Sequence, residues 1–166
     1  MPVNIQKVKP GPGQESVWDY PRPPRLEPTA RHIQVIFNGI TVADTCRAVR
    51  VLETSQAPVY YIPLEDIQRQ YLEASQQVTM CEWKGQANYY DLVAGDRRVQ
   101  NAAWSYLQPV PDYEAIRDHV AFYPQLMDQC LIDGEVAASM PGGFYGGWVT
   151  RDVVGPFKGG AGSEDW

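Results

Sequence analysis

The stretch HIQVIFNGITVADT, residues 32–45, has the clearest structural pattern in the chain. Ile33, Val35 and Phe37 occupy every second position, which is the period of a strand with one buried face. The dipeptide Asn38-Gly39 follows, and it favours the type I′ turn that connects two antiparallel strands. The alternation resumes after this turn. The stretch therefore predicts a β-hairpin.

Further short strands are predicted after this hairpin, each bounded by turn residues. They are AVRVLET (48–54), PVYYIP (58–63), VTMCEW (78–83), QANYYDLV (86–93) and RRVQNAAWSYL (97–107). Asp133-Gly134 within QCLIDGEVAA (129–138) predicts one more hairpin. Only PDYEAIRDHVAFYP, residues 111–124, has apolar residues at helical spacing. We therefore predict a mainly β fold, a single antiparallel β domain with one short covering helix near residues 112–123.

Proline and glycine are unevenly distributed, and they divide the chain into three parts. Half of the 14 prolines lie in residues 1–28, which predicts an extended arm because proline removes an amide donor and restricts its predecessor. Residues 29–139 are predicted to form the β-rich core domain. Residues 140–166 are rich in glycine and aromatic residues. We expect this C-terminal segment to pack on the core and to complete one wall of a cleft.

The charge and hydropathy of the chain disfavour two classes of partner. The formal net charge is −6, which opposes binding to nucleic acid or to anionic lipid. No run of about 18 apolar residues occurs, so no membrane span is predicted. We expect a cytoplasmic protein that binds neither nucleic acid nor a membrane.

The cysteines and histidines do not form a recognisable metal motif. Cys46, Cys81 and Cys130 are widely spaced without a CxxC pair, and the two histidines are His32 and His119. This spacing indicates neither a disulfide framework nor a tetrahedral metal site. The glycine-rich motifs that bind nucleoside triphosphates or dinucleotides are also missing. We predict no metal site and no bound cofactor.

Five segments follow one another in an order and spacing that match a known family. They are VLET (51–54), YYIPLED (60–66), CEWKGQANYY (81–90), AAWSYLQP (102–109) and IRDHVAFYP (116–124). In this pattern the chain resembles a widespread bacterial and fungal family of small domains of unknown function, some of which carry a nucleotidyltransferase-like label. The outer segments WDYPRPP (18–24) and FYGGWVT (144–150) resemble the extended form of the family.

The resemblance implies a β-rich domain with a tent-like or half-open barrel architecture. Relatives of that architecture often hold zinc through paired cysteines, which this chain lacks. Nucleotidyl transfer needs metal-binding carboxylates, typically a close pair of aspartates, and the sequence contains no Asp-x-Asp. The nucleotidyltransferase label therefore does not set the expected function.

A candidate site centres on CEWKGQANYYDL, residues 81–92, which combines a thiol, an indole, an ammonium group and two phenols. Gly85 frees the backbone beside Lys84, and Glu53 on another strand would supply the opposite charge. Aromatic residues of neighbouring strands carry polar groups that need partners when they are buried. The predicted ligand-binding residues are Glu53, Tyr61, Lys84, Tyr89, Tyr90, Trp104 and Tyr106.

Four of these residues also have a structural interpretation that the sequence leaves open. The alternatives are a surface position for Glu53, a solvated edge position for Lys84 and a core position for Trp104 and Tyr106.

Three functions follow from these observations. The aromatic content and the paired polar groups favour a domain that binds a small molecule in an aromatic-lined cleft. The first alternative is an enzyme that uses Glu53 as a base or Cys81 as a nucleophile. The second is an assembly protein that docks on a partner through its arms, at the segments around Trp18 or Trp148.

Overall fold

The computed structural model describes residues 5–166, which form fifteen strands and five 3₁₀ helices. The strands are β1 Glu15–Ser16, β2 Arg25–Pro28, β3 Ile33–Phe37, β4 Ile40–Thr45, β5 Val49–Leu52, β6 Val59–Pro63, β7 Leu72–Cys81, β8 Gly85–Ala94, β9 Arg97–Ser105, β10 His119–Phe122, β11 Gln129–Ile132, β12 Glu135–Val136, β13 Ala138–Ser139, β14 Trp148–Val149 and β15 Val153–Val154. The 3₁₀ helices are Val17–Asp19, Leu64–Asp66, Arg69–Tyr71, Pro111–Ile116 and Pro124–Leu126.

Two larger sheets account for most of the strands, and neither closes into a barrel. The first sheet has seven antiparallel strands in the order β2-β5-β6-β10-β9-β8-β7. The second has four antiparallel strands in the order β12-β11-β3-β4. Two small sheets pair β13 with β14 antiparallel and β1 with β15 parallel. The prediction of a mainly β, antiparallel domain is confirmed.

The hairpin predicted from residues 32–45 is formed by β3 and β4. Asn38 and Gly39 have φ angles of 51° and 75°, which is the left-handed geometry that a type I′ turn requires at both central positions. The Asn38 amide donates a hydrogen bond to the carbonyl oxygen of Ala94 over 2.9 Å. The turn residues therefore also connect this hairpin to strand β8 of the larger sheet.

The main core lies between the four-stranded sheet and one face of the seven-stranded sheet, which we call its inner face. Alternate residues of β3 point into it, and so do alternate residues of β6 and β10. Its largest fully buried members include Phe37, Tyr60, Ile62, Phe122, Ile132 and Trp148. The opposite, outer face of the seven-stranded sheet carries a second apolar cluster, which is where the candidate site lies.

The segment predicted as a helix near residues 112–123 divides into two elements, so the helix is shorter than predicted. Pro111–Ile116 is a 3₁₀ helix that covers the outer face with Tyr113 and Ile116. Asp118 has a φ angle of 58°, which interrupts helical geometry. His119–Phe122 is then a strand between β6 and β9, where residues 120–122 are all buried because both faces of the sheet are covered.

The two terminal segments contact each other as well as the core. Trp18 donates its indole N–H to the carbonyl oxygen of Pro156 over 2.9 Å and contacts Trp166 edge to face. Trp148 is fully buried, with its ring 5.1 Å from that of Tyr60. Docking of a protein partner around Trp18 or Trp148 stays a prediction. The first four residues of the predicted arm lie outside the described residues.

The arm is also held by ion pairs at its base. The guanidinium group of Arg50, a side chain only 8% exposed, pairs with Glu15 of β1 over 3.0 Å and with Glu27 of β2.

The division of the chain at residues 28 and 139 stays a prediction. Within residues 5–166, none of the helices has the length and hydropathy that a membrane crossing needs.

Candidate functional site

Aromatic side chains gather on the outer face of the seven-stranded sheet because neighbouring strands place them on the same side. Tyr89 of β8 pairs directly with Trp104 of β9, and Tyr61 of β6 lies on the same face two strands away. We call this group the outer aromatic cluster. It consists of Tyr61, Tyr89, Trp104, Tyr106, Tyr113 and Tyr123, packed with Trp83, Cys81 and aliphatic residues.

Trp104 lies at the centre of the outer aromatic cluster. Its indole N–H donates to the hydroxyl of Tyr61 over 3.1 Å. Its ring centroid lies 4.5 Å from that of Tyr123 and 6.3 Å from that of Tyr61. Burial raises the pKa of Tyr61, and the hydrogen bond from Trp104 only partly opposes this effect. Tyr61 is therefore a neutral hydroxyl at physiological pH.

The turn between β7 and β8 places Lys84 against this cluster. Gly85 has a φ angle of 110°, and the carbonyl oxygen of Lys84 accepts a hydrogen bond from the amide of Val110 over 2.9 Å. The Lys84 residue is only 8% exposed, and its Nζ atom lies 5.6 Å from the ring centroid of Tyr106. This geometry is a cation–π contact, so Lys84 is not a solvated edge charge.

Cys81 also contacts this cluster, but its neighbours do not suit a nucleophile. Its side chain packs against the group of residues that contains Tyr61 and Tyr106. Burial raises the pKa of Tyr106, and the nearby Tyr61 and Cys81 raise it further. Neutral phenols of this kind do not take up a proton from a thiol. The arrangement gives the enzyme alternative at Cys81 no support.

An open cleft of about 530 Å³ lies beside the outer aromatic cluster, between the long strands β7, β8 and β9 and the C-terminal segment. Its aromatic walls are Tyr89, Tyr123 and Phe144, and its polar walls are Gln77, Thr79, Asn101 and Gln125. No charged residue of the described chain lines it. The tilted contact of the Tyr123 ring with the Trp104 ring joins the cleft to the buried part of the cluster.

The polar groups of the cleft are only partly paired with one another. The hydroxyl of Tyr89 lies 3.1 Å from the Thr79 hydroxyl. Gln125 donates from Nε2 to the carbonyl oxygen of Gly143 over 3.0 Å, which attaches the C-terminal segment to the cleft. The Oε1 atom of Gln125 is buried and has no hydrogen-bond partner within residues 5–166. A buried acceptor of this kind needs a donor from water or from a ligand.

A larger cavity, of about 820 Å³, has a different character. It lies between the loop at residues 11–14 and residues near Arg31, Asp133 and Asp152, and its lining carries several charges. Arg31 pairs there with Asp133 over 2.9 Å and with Asp152, and the exposed Arg151 pairs with Glu135. This charged lining distinguishes the cavity from the open cleft.

The predicted site residues fall into three groups in the structure. Tyr89 lines the open cleft, and four residues form the buried layer next to it, namely Tyr61, Lys84, Trp104 and Tyr106. Tyr90 lies on the inner face, where its hydroxyl is 2.9 Å from that of Ser105. Glu53 forms an ion pair with Arg22 at 3.5 Å rather than with Lys84. The ligand-binding roles stay predictions.

Several residues of the cleft were missed by the sequence analysis. Tyr123 was assigned to the predicted helix, and Gln77, Asn101 and Gln125 had no distinguishing pattern. Phe144 had a usable signal, since it lies in the glycine-rich aromatic segment expected to complete a cleft wall. The amides come together only through strand register and the path of the C-terminal segment.

The fold and the cleft define a single β-rich domain with an uncharged, aromatic-walled site. The chain belongs to the family described as a domain of unknown function, DUF427, whose model matches residues 25–133. No curated protein matches the chain. The described residues contain no group of three or more His, Cys, Asp or Glu side chains that could hold a metal ion.

Proposed function

We propose that this domain binds a small, uncharged organic molecule in the open cleft beside the outer aromatic cluster. The observation that carries the proposal is the composition of the cleft, in which three aromatic rings face four polar but uncharged side chains. Ligand sites are typically concave and largely apolar, with a few polar groups that fix the orientation of the ligand. A volume of about 530 Å³ lies within the usual range of such sites.

The absence of charge in the lining separates this cleft from sites for ionic metabolites. A carboxylate or phosphate that leaves water needs charged partners or several N–H donors, because unpaired burial of an ion costs several kcal/mol. The described lining offers amides, hydroxyls and rings instead. An uncharged ligand loses less hydration there and retains its hydrogen bonds through the amides.

Lys84 lies in the buried layer next to the cleft and does not line the cleft itself. Its ammonium group contacts the ring of Tyr106, which in turn lies 6.2 Å from that of Tyr61. These rings pack under Trp104, whose position fixes Tyr123 in the cleft wall. We therefore assign to the buried predicted residues the role of holding the cleft wall in place, and to Tyr89 the role of contacting the ligand.

The test is ligand-detected NMR on the full chain with a library of small metabolites that includes matched charged and uncharged members. We expect uncharged compounds to bind and to lose at least about ten-fold in affinity in the Phe144→Ala variant, because a stacking surface is removed. Phe144 is 75% exposed, so the variant should fold. Val136→Ala removes an exposed apolar side chain outside the cleft and is the matched control. Binding of charged compounds alone, or equal binding by both variants, would contradict the proposal.

A further inference from the structure

We infer that the ligand of this cleft is a carbohydrate, that is, a ring or short chain of rings bearing several hydroxyl groups. The inference rests on the proposed function and specifies the class of ligand. It follows from the hydrogen-bonding roles that the cleft leaves open and from the shape of its aromatic walls.

The side chain of Gln125 contains a buried hydrogen-bond acceptor without a partner in the described residues. Gln125 uses its Nε2 group on Gly143, so its Oε1 atom is left to accept a hydrogen bond from an O–H or N–H group. A carboxylate has no proton to give at neutral pH and would leave this acceptor unpaired. A ligand that carries a donor at this position would satisfy it.

Asn101, on strand β9, has the opposite hydrogen-bonding role and can act as a donor to the ligand. Asn101 of β9 accepts with Oδ1 from the Ser75 hydroxyl over 2.5 Å, so its amide nitrogen is the group that can donate. The cleft thus offers an acceptor at Gln125 and a donor at Asn101. A hydroxyl group can fill either role, and the side chains of Gln77 and Thr79 also both donate and accept. A ligand with many hydroxyls satisfies such a lining in several orientations.

The aromatic walls of the cleft suit the flat face of a sugar ring. One face of a sugar ring consists of C–H groups, which pack flat on an aromatic ring while the hydroxyls extend from its edge towards polar side chains. The cleft has this combination, with Tyr89 and Tyr123 beside the amides and the exposed ring of Phe144 at the rim. The hydroxyl of Tyr89, held near Thr79, adds one more polar group at the edge of a ring.

The experiment uses the full chain and named probes. Saturation-transfer NMR and isothermal calorimetry are run with uncharged trisaccharides (maltotriose, cellotriose, xylotriose and triacetylchitotriose), with a charged trimer of galacturonic acid, and with uridine as a planar heterocycle. We expect at least one uncharged trisaccharide to bind. Its saturation should be strongest on C–H protons of one ring face, because these protons contact the aromatic walls.

Two variants locate the binding. Gln125→Met keeps the length of the side chain and removes the buried acceptor, so the affinity for the trisaccharide should fall at least about ten-fold, which is the loss of one well-formed hydrogen bond. Gln100→Met changes an exposed glutamine outside the cleft and should bind as the wild type does. If Gln125→Met does not fold, Phe144→Ala serves in its place.

The outcomes separate this inference from the proposed function. Binding of uridine or another uncharged compound without any trisaccharide would overturn the inference and leave the proposed function standing. Failure of every uncharged compound would overturn both. Trisaccharide binding that neither Gln125→Met nor Phe144→Ala weakens would place the sugar elsewhere and would also overturn both.

Discussion

Gly146 is held against the side chain of Trp104, where a β-carbon would overlap the far edge of the indole ring. We predict that Gly146→Ala lowers the free energy of unfolding by about 1–3 kcal/mol, because a tightly packed site has no room for an added methyl group. Gly160→Ala is the control, since its β-carbon would meet Pro141 at an ordinary 4.0 Å. Chemical denaturation measures both. Equal midpoints for the two variants would show that Trp104 can move.

Arg50 stabilises the fold at the level of a single residue through its two carboxylate partners. We predict that Arg50→Met lowers the free energy of unfolding by about 1–3 kcal/mol, because charge-assisted hydrogen bonds of a buried guanidinium group are lost. Arg25 pairs with the same Glu27 but is exposed, so Arg25→Met should change stability by less than about 1 kcal/mol. If urea denaturation gave the same loss of unfolding free energy for Arg50→Met and Arg25→Met, burial of Arg50 would not explain its contribution.

The same ion pair predicts a pH dependence. Burial would raise the pKa of Glu15, but hydrogen bonds from Arg50 and Tyr20 outweigh it and hold this pKa below its ordinary value of 4.5. A lowered folded pKa stabilises the native state above the ordinary pKa, and this contribution is lost as the pH falls through the lowered value. The stability difference between wild type and Arg50→Met should therefore shrink below about pH 4.5. A constant difference from pH 7 to pH 3 would argue against the linkage.

At the scale of elements, strand β7 is the unprotected edge of the seven-stranded sheet. Residues 76–80 are all exposed, and the pairing of β7 with β8 shifts register between Ala74 and Val78. Strand β10 lies inside the same sheet with residues 120–122 buried. We predict that amides of residues 76–80 exchange hydrogen at least about ten-fold faster than those of residues 120–122, because the edge opens locally. Hydrogen-exchange mass spectrometry measures this, and similar rates would indicate that the edge is covered in solution.

Elements differed in how far sequence alone could predict them. The hairpin of residues 32–45 and its turn were predicted, because the turn dipeptide and the alternation are both local signals, but the register shift between Val35 and Ile36 was not. The helix near residues 112–123 was predicted too long, since the apolar residues of β10 are spaced as on a helix. Burial of this strand on both faces depends on β6 and β9, which the local sequence does not contain.

At the scale of the whole molecule, the two terminal segments stabilise each other. Trp18→Ala removes the hydrogen bond to Pro156 and the contact with Trp166. We predict that trypsin then cleaves after Arg25 faster than in the wild type, because an arm that is held less firmly is more often available to a protease. The core fragment should persist in both digests. Identical time courses would show that other contacts hold the arm.

The site was less predictable than the fold, for a reason that also lies at this scale. Trp104 and Tyr106 were expected on one strand face, and the structure places Tyr61 and Lys84 beside them, Lys84 through the turn before Gly85. This group does not define the open cleft, whose polar side chains come from β7, β9 and a 3₁₀ helix. Glu53 and Tyr90 were separated from that group by ion pairing and by the opposite strand face.

The contact between Trp104 and Tyr123 has a consequence for spectroscopy. The emission of an indole responds to its immediate surroundings, and this indole lies 4.5 Å from a ring that forms part of the cleft wall. A molecule that binds against Tyr123 should therefore change the ultraviolet fluorescence of Trp104, which adds to the emission of four other tryptophans. The domain would then report the occupancy of its own cleft without a dye or a label.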